Sequence, residues 1–503
     1  MGKSEKVQGW MCRLFFGAYL VLFAWLYFQV WRNAGNAVLF AGGALGYGAA
    51  AVALVYYFGA RIDAMQKRSF LLLMAGLLAA YFGAVLYLGW CMRIPPDYDF
   101  GIVYEAVDDL LQDGIVTARA DYFVRCKNNI GLLLILSLVY RVGGWFGFST
   151  TSQLDVLPGI VFNALCITLT VLFVCCIARR LFGRNTAVLL SFALCAAFVA
   201  YYLWAPSFYT HTVSMPFVVG AVLCYVLFRD AKTPRRWLWL ALCALLCAGG
   251  YLVKGNIMVV CVAAILALAL DMGVGWRQKL AGVLVFSAVA GGALAAFNSW
   301  TFHNSAIDFT DYDAQGLPVE LWFCMGSHGE GKWDGDDRAY ALSFPTMEQR
   351  KAALREEIKQ NYTAYTPATY YSFLQHKTLT TWCDGKFGAQ ISHNNPIEYN
   401  WTRYIVFERY APFKAVTLHS QLYLQMLYLL CLVSLVRCVR CPRGNVRLLL
   451  HLCVFGLMLF LMFWESWASY VLNFTPLLLL IGADSILWLA GKLPPRRKKH
   501  AEA

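Results

Sequence analysis

The chain has 503 residues, of which 60% are hydrophobic and only 14% are charged. Soluble domains carry about 25% charged residues, so this composition excludes an ordinary soluble protein. The formal net charge of +13 could suggest a nucleic-acid partner. However, the basic residues lie in short loops between apolar runs, which is the positive-inside pattern of membrane proteins, and no nucleic-acid partner is predicted.

Apolar runs of about 18–25 residues recur along the chain, and this is the length that a helix needs to cross a bilayer. They predict an all-α polytopic membrane protein with about twelve transmembrane helices. The alternating basic loops then all fall on the cytoplasmic side, and both termini are predicted to be cytoplasmic. The predicted spans are 12–31, 36–58, 70–92, 155–178, 186–204, 211–228, 237–252, 256–272, 280–299, 417–436, 447–464 and 469–490.

The apolar run 130–140, "IGLLLILSLVY", is the ambiguous one. About eleven residues are too few for a span and suit a helix lying at the membrane interface. If this run crossed the membrane, every later basic loop would lie outside, against the charge pattern. The predicted parts are therefore two extra N-terminal spans and a basic loop in 1–69, a core in 70–299 with a first outer segment in 93–154, a large outer loop in 300–416, C-terminal spans in 417–490 and a basic cytoplasmic tail in 491–503.

The first outer segment opens on the densest acid cluster of the chain, "RIPPDYDFGIVYEAVDDLLQDG" at 93–114. Glu105, Asp108, Asp109 and Asp113 recur on a helical period and are expected to face water. Asp97 and Asp99 lie closest to the hydrocarbon boundary, where a partly desolvated carboxylate gains a pKa suited to a general base. The alternative is that Asp97 and Asp99 simply begin a water-exposed helix, since Pro and Asp are favoured at helix N-termini. Both interpretations fit the position of the two residues.

Several motifs together carry a family resemblance. They are "DFGIVYEA" (99–106), "RCKNN" (125–129), "ARRLFGR" (178–184), "FYTHTVSMPF" (208–217), "LVKGN" (252–256), "MGSHGEGKWDGDD" (325–337) and "TTWCDGKFG" (380–388). With the acidic motif opening the first outer loop, they resemble the GT-C superfamily of membrane glycosyltransferases. The likeness is to the Gram-positive-type branch related to protein O-mannosyltransferases and the lipid A aminoarabinose transferase.

The resemblance implies a GT-C fold and an inverting hexosyl or pentosyl transferase of the cell membrane. Such an enzyme takes a sugar from a polyprenyl-phosphate carrier and passes it to an acceptor of the cell envelope, such as a cell-wall polysaccharide, outside the membrane. It implies no cofactor beyond the lipid-linked donor, and membrane lipids as partners. Asp99 is then the base and Asp97 the second choice. Where the family has a second carboxylate after "YT", this chain has His211.

Four cations are candidates for the donor phosphate. Lys254 is the main candidate, because it lies between two apolar runs on the predicted outer side. A lone positive charge there departs from the positive-inside rule. Snorkelling of its side chain to the interface is the alternative. Arg93, Arg125 and Arg409 are predicted either to approach the same phosphate or to anchor lipid headgroups.

Sugar or acceptor contacts are predicted for Tyr209, His211, Trp382 and Asp384, although His211 and Trp382 also suit structural or interfacial roles. The acids of "GKWDGDDR" (331–338) lack the frame of a calcium loop, so no metal is predicted. A disulfide among the outer cysteines Cys91, Cys126, Cys324 and Cys383 is left open.

Two other functions compete with the transferase. A lipid-linked polysaccharide polymerase or ligase also joins lipid-borne sugars outside the membrane, and it relies on arginines of its outer loops. A transporter or flippase would place charged residues inside its spans and show two related halves. Nearly all charges here lie at span ends and no related halves are visible, which argues against transport.

Overall fold

The computed structural model describes residues 3–117, 119–149, 155–271, 274–389, 396–441 and 446–494. Throughout these ranges the regular structure is helical, and they contain no β-strand. Among the described residues, ten helical segments are long and apolar enough to cross a membrane. The prediction of an all-α polytopic membrane protein is therefore confirmed.

The helices are numbered in chain order. The first twelve are α1 (Lys3–Arg32), α2 (Ala37–Asp63), α3 (Lys67–Cys91), α4 (Tyr98–Gln112), α5 (Ala120–Arg125), α6 (Ile130–Gly144), α7 (Leu157–Phe182), α8 (Asn185–Ala196), α9 (Val199–Leu203), α10 (Thr210–Val213), α11 (Met215–Asp230) and α12 (Arg236–Val253). The others are α13 (Met258–Ala269), α14 (Trp276–His303), α15 (Tyr312–Gln315), α16 (Glu320–Met325), α17 (Gly335–Leu342), α18 (Met347–Ala364), α19 (Pro367–Trp382), α20 (Arg403–Val406), α21 (Ala411–Arg440), α22 (Val446–Phe463) and α23 (Thr475–Ala490). Short 3-10 turns at Lys127–Asn129, Gly255–Ile257 and Ala468–Phe474 precede α6, α13 and α23.

Two of the twelve predicted spans do not form a helical segment as long as the other ten. The run 186–204 forms the 12-residue α8 and then α9, and the chain between them is extended at Phe198. The run 256–272 forms a 3-10 turn and the 12-residue α13. At 1.5 Å per residue, 12 helical residues reach about 18 Å, well short of the ~30 Å hydrocarbon core. Both runs are apolar helical segments as predicted, but their helices are shorter than those of the other ten runs.

Contacts between loops follow the predicted alternation of sides. On the face predicted to be outside, the N–H of Val116 donates to the carbonyl of Ala306 at 2.8 Å. On the face predicted to be cytoplasmic, Arg184 pairs with Asp63 at 2.8 Å. Loops assigned to one side thus meet one another, whereas the identity of the extracytoplasmic face stays a prediction. Three further ion pairs lie on the predicted cytoplasmic face: Arg180–Asp230, Arg229–Asp271 and Arg447–Asp484.

The ambiguous run 130–140 lies within the 15-residue helix α6, which is too short to cross the membrane, as predicted. One contact fixes its position. A Cβ added to Gly131 would lie 2.1 Å from the carbonyl oxygen of Leu252, so only glycine allows this approach to the end of α12. The start of α6 is thereby held beside Lys254.

The large loop has a small apolar core of its own and is attached to the last two spans. The N–H groups of Glu465 and Ser466 donate to the carbonyls of Trp322 and Gly331, both at 2.8 Å. The segment between α22 and α23 is thereby bound to α16 and to the turn that follows it. The residues of this core are Leu317, Leu321, Cys324, Met325, Ala341 and Leu354.

Candidate active site

The two acids that begin the first outer segment have different surroundings. Asp97 is the N-cap of α4, and its carboxylate accepts the N–H of Tyr98 at 2.7 Å. Tyr98 has a φ of 50°, a left-handed conformation that residues other than glycine rarely adopt. One carboxylate oxygen of Asp97 is therefore engaged in capping this turn.

Asp99 belongs to a chain of polar side chains. The hydroxyl of Tyr122 donates to its carboxylate, and the Nδ2 of Asn129 donates to the hydroxyls of Tyr122 and Tyr209, at 2.5 and 3.4 Å. The Asp99 side chain is accessible to solvent, but the surrounding protein desolvates it and raises its pKa, while the Tyr122 hydrogen bond opposes that rise. A carboxylate of raised pKa that remains accessible is suited to act as a base.

Lys254 follows the last residue of α12, and its side chain is buried. Its Nζ lies 2.6 Å from the Nδ1 of His211 and 4.7 Å from the centre of the Tyr470 ring. Burial lowers the pKa of Lys254 to about 7, although the carboxylate of Glu465 opposes the shift. The ammonium form donates to a neutral His211, whose own proton is then on Nε2. An anion beside Lys254 would favour its charged form.

Glu465 is the buried acid of the polar cluster, the name used here for Asp99, Tyr122, Asn129, Tyr209, His211, Lys254, Lys377, Glu465 and Tyr470. Its carboxylate accepts the hydroxyl of Tyr470 at 2.7 Å and the N–H of Trp333. Burial raises the pKa of Glu465, while Tyr470 and the charges of Lys254 and Lys377 lower it. Two cations and one anion are thus buried near one another, and when all three are charged the group has one positive charge in excess. An anionic ligand would balance that charge.

Lys377 of α19 brings the large loop to the cluster. Its Nζ donates to the carbonyl of Gly326 and lies 5.5 Å from the centre of the Phe373 ring. Burial lowers the pKa of Lys377 to about 7, and Glu465 again opposes the shift. The large loop therefore contributes a buried cation as well as backbone contacts.

The "TTWCDGKFG" segment contacts Trp204, the residue that packs against His211. The ring of Trp204 lies 4.8 Å from the His211 ring, edge to face, and its indole N–H donates to the carbonyl of Phe387 at 3.2 Å. Asp384 accepts the N–H groups of Lys386 and Gly388, at 2.9 and 2.6 Å. Both carboxylate oxygens of Asp384 thus hold the turn, and its side chain has a structural role rather than a sugar contact.

Trp382 does not fit the predicted stacking on a sugar. Only 3% of the residue is exposed, and its ring lies 6.4 Å from that of Tyr428 within the helical core. A sugar could not reach this ring without opening the packing of α19 on the spans. The prediction of a sugar contact at Trp382 is therefore corrected to a core position.

The three predicted arginines have other partners. Arg93 pairs with Glu398 at 2.5 Å and lies 4.0 Å above the ring of Trp90, so its charge is already balanced. Arg125 pairs with Asp121 in α5. The third, Arg409, is exposed, with its guanidinium 5.0 Å from the ring of Tyr410. Of the four predicted cations, the structure brings only Lys254 into the cluster, together with the predicted Asp99, Tyr209 and His211.

Comparisons with known proteins place the chain in a family. Residues 45–487 match the family model described as "Conserved hypothetical integral membrane protein". The chain belongs to this family. The comparison with curated proteins gave no match. One similar solved structure is the archaeal oligosaccharyltransferase AglB from Archaeoglobus fulgidus, in complex with an inhibitory peptide and a dolichol-phosphate, at 12% identity and a TM-score of 0.44. The similarity covers 84% of this chain and 52% of that one, so the chain spans about half the length of AglB.

Five residues of the cluster in this integral membrane protein were missed from the sequence: Tyr122, Asn129, Lys377, Glu465 and Tyr470. Asn129 closes the motif "RCKNN", so the resemblance could have indicated it. Glu465 is a lone acid in "FWESW", between two predicted spans on the predicted outer side. That position breaks the apolar pattern as Lys254 does, and the same argument could have found it. For Tyr122 and Tyr470, nothing in their spacing distinguishes them from the other tyrosines.

Proposed function

We propose that this protein is an inverting, GT-C-type glycosyltransferase that moves a sugar from a polyprenyl-phosphate carrier to an acceptor on the extracytoplasmic side of the membrane. One observation carries the proposal. An accessible carboxylate, Asp99, and a buried cation, Lys254, belong to one polar cluster at the ends of membrane spans. Tyr209 and Tyr470 lie within electrostatic range of Asp99, and Lys254 lies against Tyr470.

The reaction that fits this arrangement is a single displacement. The carboxylate of Asp99 takes the proton of an acceptor hydroxyl, and the freed oxygen attacks the anomeric carbon of the donor sugar. The bond between that carbon and the carrier phosphate breaks, and the phosphate leaves with the bonding electron pair. One displacement inverts the anomeric carbon. The raised pKa of Asp99 makes its carboxylate a stronger base than an ordinary surface acid.

Lys254 supplies the positive charge that the leaving phosphate needs. A cation in a water-poor site stabilises developing negative charge far better than it would in bulk water. The excess positive charge of Lys254, Glu465 and Lys377 matches a phosphate group. His211 lies beside Lys254 and Tyr209 lies beside His211, where both can form hydrogen bonds with the hydroxyls of a sugar or an acceptor. The ends of the spans are also the depth at which the phosphate of a lipid carrier lies.

The proposal also includes the class of sugar, the acceptor and the related enzymes. The motifs favour a hexosyl or pentosyl transfer to a cell-envelope polymer or lipid, by an enzyme related to the protein O-mannosyltransferases and the aminoarabinose transferase. The reaction needs the lipid-linked donor and no further cofactor. Since Arg93 and Arg125 are occupied by carboxylates, the arginine-based chemistry of a polysaccharide ligase has less support in this chain.

A transfer assay tests the proposal directly. The purified protein is reconstituted in vesicles with polyprenyl-phosphate donors carrying radiolabelled hexoses or pentoses, together with an envelope extract as acceptor. We expect label to appear in a water-soluble or lipid acceptor with inverted anomeric configuration. Retention of configuration, or no transfer from any donor by a protein shown to be folded and to bind the carrier, would refute it.

Sidedness is tested by labelling introduced cysteines in intact cells with a membrane-impermeant maleimide. Cys441 is the one exposed residue among the 17 cysteines, so Cys441→Ser provides the background. We expect Lys359→Cys in the large loop to be labelled from outside, and Lys232→Cys only after permeabilisation; both positions are exposed. Labelling of Lys232→Cys in intact cells would reverse the predicted orientation.

A further inference from the structure

A second cluster lies in the large loop, apart from the residues assigned to transfer. Cys324, His328 and Asp337 each present one potential ligand atom, and these atoms all lie within 4.8 Å of one another. The Nε2 of His328 is 2.8 Å from the Oδ2 of Asp337, and Cys324 is completely buried. Such a mixed group of thiol, imidazole and carboxylate offers three different donor atoms at one point.

The local sequence brings these residues together through a glycine-rich turn. Cys324 is in the last turn of α16, and His328 lies three residues after the end of that helix. Gly329 and Gly331 then take φ values of 56° and 68°, a conformation that glycine adopts without strain. The turn leads into α17, whose first turn presents Asp337. The motif "MGSHGEGKWDGDD" thus folds back on itself and closes the cluster.

The donor set and the spacing suit a zinc ion. Zinc in proteins takes four ligands in a tetrahedron, mostly from Cys, His and Asp or Glu, at about 2.0–2.3 Å. Ligand atoms of such a site lie roughly 3.3–3.7 Å apart. About half an ångström more between His328 and Asp337, and about 1 Å less in the longest separation, would bring the three ligand atoms to these distances. Calcium and magnesium prefer oxygen ligands alone.

We propose that Cys324, His328 and Asp337 bind one structural Zn²⁺ ion, whose fourth ligand is water or a carboxylate. Asp334 and Glu357 lie within electrostatic range of both Cys324 and His328 and are the carboxylates in position. From the sequence, the acids of 331–338 were considered only as a calcium loop, whose frame they lack. The cysteine and the histidine that complete the group precede that stretch. The proposal does not depend on the transferase activity.

The ion would fix a segment that meets the candidate active site. Gly326 accepts the ammonium of Lys377, and Gly331 accepts the N–H of Ser466. Both glycines lie in the turn between Cys324 and Asp337. A metal that locks this turn therefore holds the large loop against the segment containing Glu465.

The test uses the full-length protein purified without chelator. We expect about one equivalent of zinc per chain by mass spectrometry of the metal. Replacement by Co²⁺ should give a thiolate-to-cobalt charge-transfer band and the visible bands of a tetrahedral ion, a readout that needs no variant. Metal below background, or a cobalt spectrum without the thiolate band, would overturn the proposal and leave an ordinary His328–Asp337 hydrogen bond.

Variants assign the ligands. His328→Ala and Cys324→Ser should each lose the zinc and the thermal stabilisation that zinc gives to the wild type. Two matched controls should keep both: His376→Ala, an exposed histidine of the same loop, and Asp336→Asn, the exposed neighbour of Asp337. If Cys324→Ser fails to fold, His328→Ala decides. Zinc retained in a folded His328→Ala protein would overturn the assignment.

Discussion

The Asp99→Asn variant is expected to lower the rate of sugar transfer about 10²–10⁴-fold, the usual contribution of a general base. Asparagine has nearly the same shape and still accepts the hydroxyl of Tyr122, but it cannot take a proton from the acceptor. The loss should appear in kcat measured with a radiolabelled donor at saturation. Carrier binding and the thermal unfolding midpoint should change little, because Asp99 is accessible and contributes little packing.

The neighbouring acids provide the controls. Asp97→Asn should remain active, because asparagine is as good an N-cap as aspartate. Asp113→Asn, at the other end of α4, should behave like the wild type. If Asp97→Asn is inactive and Asp99→Asn normal, the wrong acid of the pair has been chosen. Full activity in both variants would place the base elsewhere.

The pH profile should reflect the raised pKa of Asp99. Activity requires the deprotonated carboxylate, so kcat/KM should fall as the pH is lowered through that pKa. Since the pKa is raised from its ordinary value, the acid limb should lie at higher pH than for a fully solvated aspartate. Asp99→Asn should show no such limb in its residual rate.

The second large effect is expected at Lys254. Lys254→Ala should lower kcat/KM for the lipid-linked donor about 10- to 100-fold, the value of a hydrogen bond to a charged group. Lys254→Met fills more of the space than alanine and should lose as much, because the missing element is the charge. Lys359→Ala, an exposed lysine of the large loop, is the control.

The pKa of Lys254 sets the direction of its pH dependence. With a pKa of about 7, the side chain is charged below that pH and neutral above it, so donor binding should weaken as the pH rises through about 7. Arginine stays charged throughout this range, and Lys254→Arg should therefore remove the alkaline limb while recovering part of the activity. An unchanged alkaline limb in a folded Lys254→Arg protein, or normal donor kinetics in Lys254→Ala, would leave Lys254 with a structural role as the buried partner of His211.

The fold could be predicted well because length and charge are local signals. Ten of the runs identified in the sequence are helices long enough to cross a membrane, and α6 was correctly set apart from them. The short helices of the other two runs were not foreseen, because hydropathy does not register where an apolar segment stops being helical. The break at Phe198 lies in a stretch as apolar as its neighbours.

The candidate site was predictable only in part. Asp99, Tyr209, His211 and Lys254 belong to motifs next to spans, so their position along the chain already indicated their depth. The partner of Arg93 could not be found in this way, because Glu398 lies about 300 residues further on and only folding brings the two together. Trp382 was misassigned for a similar reason, since its burial depends on Tyr428 of a later helix.

The bonds from Glu465 and Ser466 to Trp322 and Gly331 have a consequence for biogenesis. The ribosome releases the large loop well before the hairpin of α22 and α23 is made. Until that hairpin is inserted, the two carbonyls lack these donors, and Lys254 and Lys377 lack their nearby carboxylate. The polar cluster is therefore completed by one of the last insertion events of the described chain, and a nascent protein that has not reached it does not contain the finished site.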